Sequence, residues 1–553
     1  MSIGCVSASD VNSDATVLNS TDSSVIAAGT GTFSDLQIKI DSAVQGSTIN
    51  LDKNYAYDDG FDSDGIQINK ALTIKGNDYT IDGKGLSRIF DIEASNVTLI
   101  GITLIKGYSE SGNGGAILWN GDSGSIDECT LEYNAALAGG AIYWQGTNGN
   151  VDHCKFNHNN ATDEYGYGGA ICINGECLSI TSSDFYKNYA LDEGDGGALS
   201  VDADGVTVDS CNFERNYANS AGGAIYWSND DGLLTGCTFL HDYATLGGAI
   251  VHTGFDSIVS ESSFEECYAL EGGAISINYC NLRIFDCIFD DNYAEYRGGA
   301  IKIDSWGAAT IDYSTFTNNR VTKSSGSIGN HGGAIYSASE EGIEVRNSNF
   351  ENNEVPYLGA AIYLNNDLAD VIENCTFKNN TGNYGAVTTD ATNVTIKDSK
   401  FMDNTGRYGA ADVYLKSDDS IITNCDFKNS YASGDGGSVY WSGDSGELSD
   451  STFTNCKVST LNSAGAVYWS GNNGIISKSE FKNNNAFDSG AIRLYGDKVT
   501  VKDSKFINNT ASLNGGAIDI DGINDNVINC QFDKNSALNG GAIKVSGDKT
   551  TIE

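Results

Sequence analysis

The chain consists of short apolar runs separated by turns rich in Gly, Asn, Asp and Ser. Within a run the apolar positions fall two or three residues apart, and helical spacing is absent outside one segment. Short apolar runs bounded by turn residues predict β-strands. The exception is residues 36–44 (Leu-Gln-Ile-Lys-Ile-Asp-Ser-Ala-Val), whose pattern predicts a short amphipathic helix before Gly46.

Two motifs recur with a period of about 25 residues. The first is Gly-Gly-Ala-Ile, and the second is apolar-x-x-(Cys/Ser)-x-Phe-x-x-Asn. From the Ile of the first to the Phe of the second is fourteen positions, both from Ile142 to Phe156 and from Ile518 to Phe532. Insertions collect instead before the next Gly-Gly and are longest between Asn319 and Gly332. Fixed strands with one variable corner predict a parallel β-helix, because stacked coils hydrogen-bond along the fixed part.

This pattern divides the chain into four parts. Residues 1–8 end in a Val6-Ser7-Ala8 pattern that indicates the remnant of a secretion signal, and residues 9–31 form a polar, flexible leader. Residues 32–107 hold an N-terminal cap and the first coils, and residues 108–553 form a repeat β-helix that is cut off in mid-repeat. The helix predicted in the second part covers the first coil, since an uncapped end is an aggregation edge. About twenty coils at ~4.8 Å each predict a rod of roughly 100 Å.

Each repeated position has a physical task. The Phe column stacks along the interior, and the paired glycines allow a corner where a Cβ would clash. The Asn column predicts a ladder of side chains, interrupted at Asp242, Cys267, Ser430 and Cys456. Eight of the 14 Cys lie two residues before the Phe or its Leu substitute, and Ser fills the same slot in other repeats. A slot shared by Cys and Ser indicates a small inward side chain, because neither a disulfide nor a metal tolerates that exchange.

These motifs resemble those of known surface proteins. Gly-Gly-Ala-Ile paired with Phe-x-x-Asn is similar to the repeats of the chlamydial polymorphic membrane proteins. The sequence before the repeats resembles the adhesin-like proteins of methanogenic archaea, in the segments at residues 32–37, 46–51, 71–76 and 80–85. The resemblance implies an all-β, single-stranded, right-handed parallel β-helix that is secreted and displayed on the cell envelope. It also implies attachment to surface glycans or proteins of neighbouring cells.

Charge narrows the choice of partners. Lys and Arg total 32 against 74 Asp and Glu, so the formal net charge is −42. Such a chain repels nucleic acid, anionic membrane surfaces and pectin-like polyanions, the last unless calcium bridges them. The chain contains no run of ~20 apolar residues, so its sequence predicts no membrane span. We expect a monomer without cofactors.

An enzyme of polysaccharides is the first alternative, because lyases and hydrolases of polysaccharides also use β-helices. Such enzymes need clustered carboxylates, or calcium beside a basic residue. The Asp pairs of this chain, such as Asp230-Asp231 and Asp418-Asp419, are scattered over different coils, and only 5 His are present. We therefore expect no catalysis. A purely structural spacer is the second alternative.

The turn from Asp58 to Gly65 is a weak calcium candidate. Asp58, Asp62 and Asp64 supply the oxygen atoms that a loop site needs, but not in the order of an EF-hand. An ordinary acidic turn is the alternative interpretation. Cys172 and Cys177 flank Asn174-Gly175 and are a candidate pair for a small disulfide loop.

Two surfaces are candidate binding sites. Residues 320–331, the longest insertion, are expected to be exposed and mobile, and Arg320 and Lys323 would offer positive charge there. In addition, the position after the inward Ile of each first strand should face solvent, because strand residues alternate. Tyr414, Tyr440 and Tyr468 hold that position in consecutive coils, which predicts an exposed aromatic strip on a flat face. Such a strip either takes sugar rings or merely stacks on itself and shields the strands.

Overall fold

The computed structural model describes residues 29–323, 329–365 and 369–553. The chain winds into a right-handed parallel β-solenoid whose longest sheets contain 20 strands, one from each coil. The fold class predicted from the sequence is therefore confirmed. The predicted signal remnant and residues 9–28 of the predicted leader lie outside the described residues. No helix in the described part of the chain is long and apolar enough to cross a membrane.

One α-helix, Phe33–Ser42, precedes the coils. It begins earlier than predicted because Thr32 caps it: the Thr32 hydroxyl accepts from the Asp35 amide, and the Asp35 carboxylate accepts from the Thr32 amide. It also ends earlier than predicted, since the backbone of Ala43 is extended. Phe33, Leu36 and Ile40 are buried against the core of the first coils. The Phe33 ring meets Tyr57 and Phe61 edge to face at 5.8 and 5.7 Å. The predicted cap is confirmed.

In most coils the first strand follows the paired glycines or a variant of them, and we call the sheet that the first strands form the isoleucine sheet. Its strands pair in parallel and in register, and in most of them the two end residues are inward and apolar while the middle residue faces outward. His252, Ser337 and Thr389 are buried polar exceptions at the last position. The strands are Ile66–Ile68, Phe90–Ile92, Ile117–Trp119, Ile142–Trp144, Ile171–Ile173, Leu199–Val201, Ile225–Trp227, Ile250–His252, Ile275–Ile277, Ile301–Ile303, Ile335–Ser337, Ile362–Leu364, Val387–Thr389, Val413–Leu415, Val439–Trp441, Val467–Trp469, Ile492–Leu494, Ile518–Ile520 and Ile543–Val545.

The second strand of each coil contributes to the middle sheet. Most of its strands have three residues, but four consecutive strands are longer, from Ser257–Ser260 to Ile343–Arg346. The strands are Thr48–Asn50, Thr73–Lys75, Thr98–Ile100, Ser125–Asp127, Asn150–Asp152, Ser179–Thr181, Thr207–Asp209, Leu233–Thr235, Ser257–Ser260, Asn281–Phe285, Ala308–Asp312, Ile343–Arg346, Val371–Glu373, Thr395–Lys397, Ile421–Thr423, Glu447–Ser449, Ile475–Ser477, Thr500–Lys502, Asn526–Ile528 and Thr551–Ile552.

The third strand of each coil contributes to the phenylalanine sheet. From Phe156 to Phe532 one Phe ring per coil stacks on the next, with ring centroids 4.5 to 5.0 Å apart. The strands are Gly31–Thr32, Tyr55–Ala56, Thr80–Asp82, Thr103–Ile105, Thr130–Glu132, Lys155–Asn157, Asp184–Tyr186, Asn212–Glu214, Thr238–Leu240, Ser263–Glu265, Ile288–Asp290, Thr315–Thr317, Asn349–Glu351, Thr376–Lys378, Lys400–Met402, Asp426–Lys428, Thr452–Thr454, Glu480–Lys482, Lys505–Ile507 and Gln531–Asp533.

A fourth set of strands lies at the variable corner, between the phenylalanine sheet and the next pair of glycines. These strands form three separate groups, so pairing at this corner is interrupted where loops differ in length. They are Ala135–Ala136, Asn160–Ala161, Tyr189–Ala190, Tyr217–Ala218, Tyr268–Glu271, Tyr293–Arg297, Arg320–Val321, Thr381–Gly382, Thr405–Gly406, Tyr431–Ala432, Lys457–Val458, Asn485–Asp488 and Thr510–Asn514.

The predicted Asn ladder is confirmed at the turn after the phenylalanine sheet. The Asn159 amide nitrogen donates to the Leu131 carbonyl of the preceding coil at 2.9 Å and to the Asn188 side-chain oxygen at 3.0 Å. The same Asn188 oxygen accepts from the Asn159 backbone amide at 3.1 Å. Each buried Asn therefore joins the coil before it to the coil after it, which satisfies backbone groups that the sheets leave unpaired.

Candidate functional site

The outward row of the isoleucine sheet holds the predicted tyrosine strip. Tyr414, Tyr440 and Tyr468 are paired in register on three consecutive coils. Their ring centroids are 4.7 and 4.9 Å apart, and the ring planes differ by 14° and 4°. The predicted stacking of the three rings is therefore confirmed.

The strip is part of a larger cluster of aromatic rings. Thr388 interrupts the row in the preceding coil, and Tyr384 from the variable corner fills that place, 5.0 Å from Tyr414. His331 stacks on Tyr363 at 4.3 Å and lies 5.6 Å from Tyr357. It therefore connects the rings of the isoleucine sheet to those of the variable corner. We call this set of eight tyrosines and one histidine the tyrosine surface: His331, Tyr336, Tyr357, Tyr363, Tyr384, Tyr408, Tyr414, Tyr440 and Tyr468.

The tyrosine surface is less exposed than the alternation of strand residues predicts. Tyr336 and Tyr363 are only 4% exposed, because Leu358 and other corner residues pack against them. Tyr414, Tyr440 and Tyr468 are half-buried, and each ring covers the face of the next. The expectation of a fully exposed strip on a flat face is wrong for this reason. In this row, a binding partner can therefore contact ring edges and hydroxyl groups but not ring faces.

Charged side chains beside the tyrosine surface are paired with one another. Lys416 lies 3.0 Å from Asp390 and over the Tyr414 ring, and Asp390 also accepts from the Tyr363 hydroxyl at 2.8 Å. Arg493 follows Tyr468 in the row and binds Asp519 at 2.7 Å. The chain's own carboxylates therefore compensate these cations, and no strong local charge selects an ionic partner.

Burial sets the protonation states within the tyrosine surface. It lowers the pKa of His331 to about 4, with the nearby Arg297 as a further cause, so the imidazole is neutral at neutral pH. Burial also raises the pKa of Tyr414 and of Tyr468 to about 12. The phenols therefore stay protonated and can both donate and accept hydrogen bonds.

Arg320 and Lys323 do not form the free positive contact point that the sequence predicted. Arg320 lies in a corner strand, forms an ion pair with Asp291 and lies over the Tyr293 ring at 5.0 Å. Lys323 binds Glu295 at 2.7 Å. Both cations are thus paired with carboxylates of the preceding coil. The neighbouring Val321 is 2% exposed. At the start of this insertion the predicted exposure is wrong for Arg320, which is half-buried, and for Val321, whereas Lys323 is exposed as predicted. Residues 324–328 lie outside the described residues.

A second tyrosine row, which the sequence reasoning missed, ends at Arg320. Tyr217, Tyr243, Tyr268 and Tyr293 stack at the variable corner with centroid distances of 5.2, 4.9 and 4.5 Å. The signal in the sequence is a Tyr-Ala pair in each of these coils, at the spacing of the repeat. This row lies directly after the Asn ladder, at a position of the repeat that contributes no ring to the tyrosine surface.

The weak calcium candidate is not assembled by the fold. Asp58 accepts from the Ser34 amide at 3.1 Å and from its hydroxyl at 2.6 Å, so it holds the N-terminal helix, while Asp62 accepts from the Asp64 amide. Among the described residues, acidic and histidine ligand atoms converge within 4.8 Å only elsewhere, at Asp127, Asp152 and His153. The geometry favours the acidic-turn interpretation.

The candidate disulfide is not formed in the structure either. Cys172 and Cys177 are both free, the first buried and the second exposed. Cys172 is the outward residue of the strand Ile171–Ile173, between Tyr143 and Ser200 of the neighbouring coils, and burial raises its pKa to about 12. Cys177 belongs to the turn beyond that strand, so the two thiols occupy different parts of the coil.

The repeats match a known family. The model of the right handed beta helix region matches residues 140–316, 273–411 and 387–553, which together cover most of the chain. This chain belongs to the right-handed β-helix family. No protein of curated function matches this β-helix chain in sequence.

Several solved structures are similar to this chain over much of its length. The alginate lyase AlyF-OU02, in complex with G6, has a TM-score of 0.35 at 10% identity, covering 73% of this chain and 84% of its own. A mutant tailspike protein of E. coli bacteriophage HK620, in complex with pentasaccharide, has a TM-score of 0.24 at 11% identity, covering 92% and 76%. The Streptococcus pneumoniae surface protein and adhesin PfbA has a TM-score of 0.16 at 11% identity, covering 94% and 99%. These likenesses concern the β-helix fold alone.

Proposed function

We propose that this β-helix is a secreted, adhesin-like stalk of the cell surface. It attaches through the tyrosine surface to glycans or proteins of neighbouring cells, and it does so without catalysis. The observation that carries the proposal is the tyrosine surface itself, a connected cluster of eight tyrosines and His331 on one face of the rod. Tyrosine offers large, rigid and amphipathic contact area at a low cost in conformational entropy.

The tyrosine surface determines how a partner approaches. Because Tyr414, Tyr440 and Tyr468 cover one another's faces, a partner meets a row of ring edges and hydroxyl groups at the spacing of the coils. The neighbouring cations are already paired with Asp390 and Asp519. These features favour a polar partner recognised by hydrogen bonds and shape rather than by charge.

The rest of the fold is consistent with a stalk. Coils joined by three sheets and a buried Asn ladder make a rod of roughly 100 Å, which holds its side chains at fixed positions far from an anchor. A net charge of −42 keeps such a rod soluble and separate from other copies, which supports a monomer outside the cell.

The alternative of an enzyme finds less support in the geometry. Catalytic carboxylates have shifted pKa values and reach the substrate. In this chain, burial raises the pKa of Asp242 to about 8 and that of Asp412 to about 7, but both side chains lie fully inside the coil. A polysaccharide cannot reach either of them. A purely structural spacer remains the second alternative.

Replacing Tyr414, Tyr440 and Tyr468 by Ser should abolish retention of the chain on a cell or immobilised glycan that the wild type binds. The fold should survive, since the three rings are half-buried and each stacked pair contributes only roughly 1 kcal/mol. Retention is measured by a pull-down assay, and the fold by circular dichroism.

The control replaces three rings of the other stacked row, Tyr217, Tyr243 and Tyr268, by Ser. It removes the same groups from a different position of the repeat and should leave retention unchanged. Equal retention by the first variant and the wild type would show that the tyrosine surface is only structural, and equal losses in both variants would remove the assignment to this face.

A further inference from the structure

We propose a second binding site on this rod, a groove at the corner between the isoleucine sheet and the middle sheet, and we infer that its ligand is an uncharged saccharide. We call it the aromatic groove. Its lining includes Asp256, Asn281, Arg283, Thr310, Glu341 and Glu344. Three exposed aromatic residues, Phe255, Tyr279 and Trp306, come one or two positions before lining residues of their own coils, and we call them its rim. The site lies apart from the tyrosine surface, so it stands or fails independently of the proposed attachment there.

The three rim residues are exposed aromatic side chains that are not covered by another ring. Phe255, Tyr279 and Trp306 are 50%, 62% and 62% exposed and belong to three consecutive coils. No other ring in the described part of the chain stacks on any of them, in contrast to the rows in which each tyrosine covers the next. Aromatic residues exposed in one neighbourhood indicate a binding site rather than the scattered apolar groups of any surface.

The sequence at this corner departs from the repeat. Elsewhere the corner holds small polar turns, such as Gly121-Asp-Ser-Gly124 and Gly471-Asn-Asn-Gly474. In the three rim coils it reads Gly254-Phe-Asp, Asn278-Tyr-Cys and Ser305-Trp-Gly. Large aromatic residues thus replace polar turn residues in three coils in succession, at the cost of apolar exposure that most other coils avoid.

Longer strands form the floor of the aromatic groove. Asn281–Phe285 and Ala308–Asp312 have five residues, and they pair along their whole length. The additional inward residues, Leu282 and Ala309, are buried and extend the sheet into the corner. The result is a shallow depression of about 350 Å³ beside the aromatic rim, within the range of small-ligand sites.

The polar groups of the floor fit an uncharged polyhydroxy ligand. Arg283 is exposed and has no ion pair among the described residues, whereas the neighbouring Glu344 is paired with Arg346 at 2.6 Å. Arg283 and the Asn281 amide can donate hydrogen bonds, and the Asp256 and Glu341 carboxylates can accept them. Sugar hydroxyls do both, and the C–H face of a pyranose ring packs on an exposed aromatic ring.

Charge argues against an acidic sugar in the aromatic groove. A carboxylate or sulfate on the ligand would gain Arg283 but would meet the carboxylates of Asp256 and Glu341 in the same depression. The whole chain adds a field of net charge −42. Both effects disfavour an anionic saccharide over a neutral one of the same length.

The position of Trp306 gives a direct readout. The chain has 6 Trp, and the other five, Trp119, Trp144, Trp227, Trp441 and Trp469, are at most 2% exposed. Quenching of tryptophan fluorescence by acrylamide therefore reports mainly on Trp306. A saccharide bound in the aromatic groove should protect that ring.

The experiment titrates the full chain with cello-, xylo- and mannohexaose and with hexagalacturonate, and measures acrylamide quenching together with binding heat. At least one neutral hexaose should protect Trp306, and hexagalacturonate should bind at least tenfold more weakly. Trp306→Ala and Tyr279→Ala should each raise Kd for that hexaose at least tenfold, and Arg283→Gln at least threefold. Tyr495→Ala is the matched control, since Tyr495 is 59% exposed at the same corner of a distant coil.

Three results would overturn the assignment. They are no protection by any neutral hexaose, tighter binding of hexagalacturonate, and equal loss of binding in Tyr495→Ala. Triple replacement of Tyr414, Tyr440 and Tyr468 by Ser should leave the affinity of the aromatic groove unchanged. If it does not, the two surfaces are one site and the separate groove is wrong.

Discussion

Replacing Gly273 by Ala is expected to cost more than about 4 kcal/mol and to unfold the coils around it. A Cβ on Gly273 would lie 2.0 Å from the Gly299 carbonyl oxygen and 2.7 Å from that of Tyr293. Both atoms are backbone of the next coil, so neither can move aside without breaking the stack. Gly272, the other member of the pair, has a φ of +67°, which favours glycine. Urea denaturation followed by circular dichroism measures the loss.

Comparing Gly273→Ala with a control variant tests whether the paired glycines serve only the fold. A β-strand, Ile275–Ile277, follows the pair instead of the helix that a phosphate-binding loop requires. The matched control is Gly85→Ala, where φ is +69° but nothing lies within 4 Å of the added Cβ. It should lose only about 1–2 kcal/mol. Equal losses in the two variants, or lost ligand affinity in the folded fraction, would contradict the structural role.

Asp242→Asn is expected to stabilise the chain by a few kcal/mol at pH 8 and to change little at pH 4. Asp242 occupies a position of the Asn ladder and is fully buried. One of its oxygens accepts from the Asn216 amides at 2.8 and 3.1 Å, but the other has no partner. In other coils an Asn nitrogen sits at this place and donates, as Asn216 does to the Phe185 carbonyl at 3.0 Å. Only a protonated carboxyl can do the same.

The pH dependence follows from this geometry. Burial raises the pKa of Asp242 from 3.8 to about 8, so the folded chain binds a proton that the unfolded chain releases above about pH 4. Its contribution to stability is full below pH 4 and is lost as the pH rises to about 8. His252 and His331 have the opposite effect at lower pH. Burial lowers the pKa of each to about 4, so their contribution to the stability of the fold is lost as the pH falls below about 6.5.

Both proteins contain the two histidines, so the difference in stability between Asp242→Asn and the wild type reports on the Asp242 carboxyl alone. The thermal unfolding midpoint of the variant minus that of the wild type should be near zero at pH 4 and should increase up to pH 8. Asn188→Asp is the reciprocal test, because it places a carboxyl at another fully buried rung and should destabilise at pH 8 far more than at pH 4. A wild-type midpoint that rises between pH 5 and pH 8 in parallel with that of Asp242→Asn would show that Asp242 is already ionised in the folded chain.

The repeat allowed the coils, their registers and their interior columns to be predicted. Because Phe156 and Phe185 occupy the same place in successive repeats, the period alone determines that their rings stack. The same reasoning placed the Asn ladder and the tyrosine row. It works because each position of one coil touches mainly its counterpart in the next.

Contacts between different positions of the repeat could not be predicted in this way. Ser430 replaces an Asn of the ladder, and Asp412, which replaces an Ala of the Gly-Gly-Ala-Ile motif, fills the gap. Its carboxylate accepts from Asn404 at 2.9 Å and from the hydroxyls of Ser430 and Ser438. The two substitutions compensate each other across the width of a coil, which the period does not reveal.

The binding surfaces could not be fully predicted either, because loops of different lengths place residues from different positions of the repeat beside one another. His331 and Leu358 pack over Tyr336 and Tyr363 because loops of the variable corner fold back onto the outer face. The aromatic groove arises where strands of the middle sheet lengthen, at Asn281–Phe285 and Ala308–Asp312. Both depend on where a loop ends rather than on the repeat itself.

The most direct test of the proposed function incubates the purified chain with immobilised polysaccharides and fixed cells, and measures bound protein and released saccharide together. The proposal predicts that at least one surface retains the wild type, that the Tyr414, Tyr440 and Tyr468 triple variant is not retained, and that no saccharide is released. Soluble cleavage products from any polysaccharide would identify an enzyme. The absence of retention on every surface would identify a spacer, and either result would contradict an adhesin-like stalk.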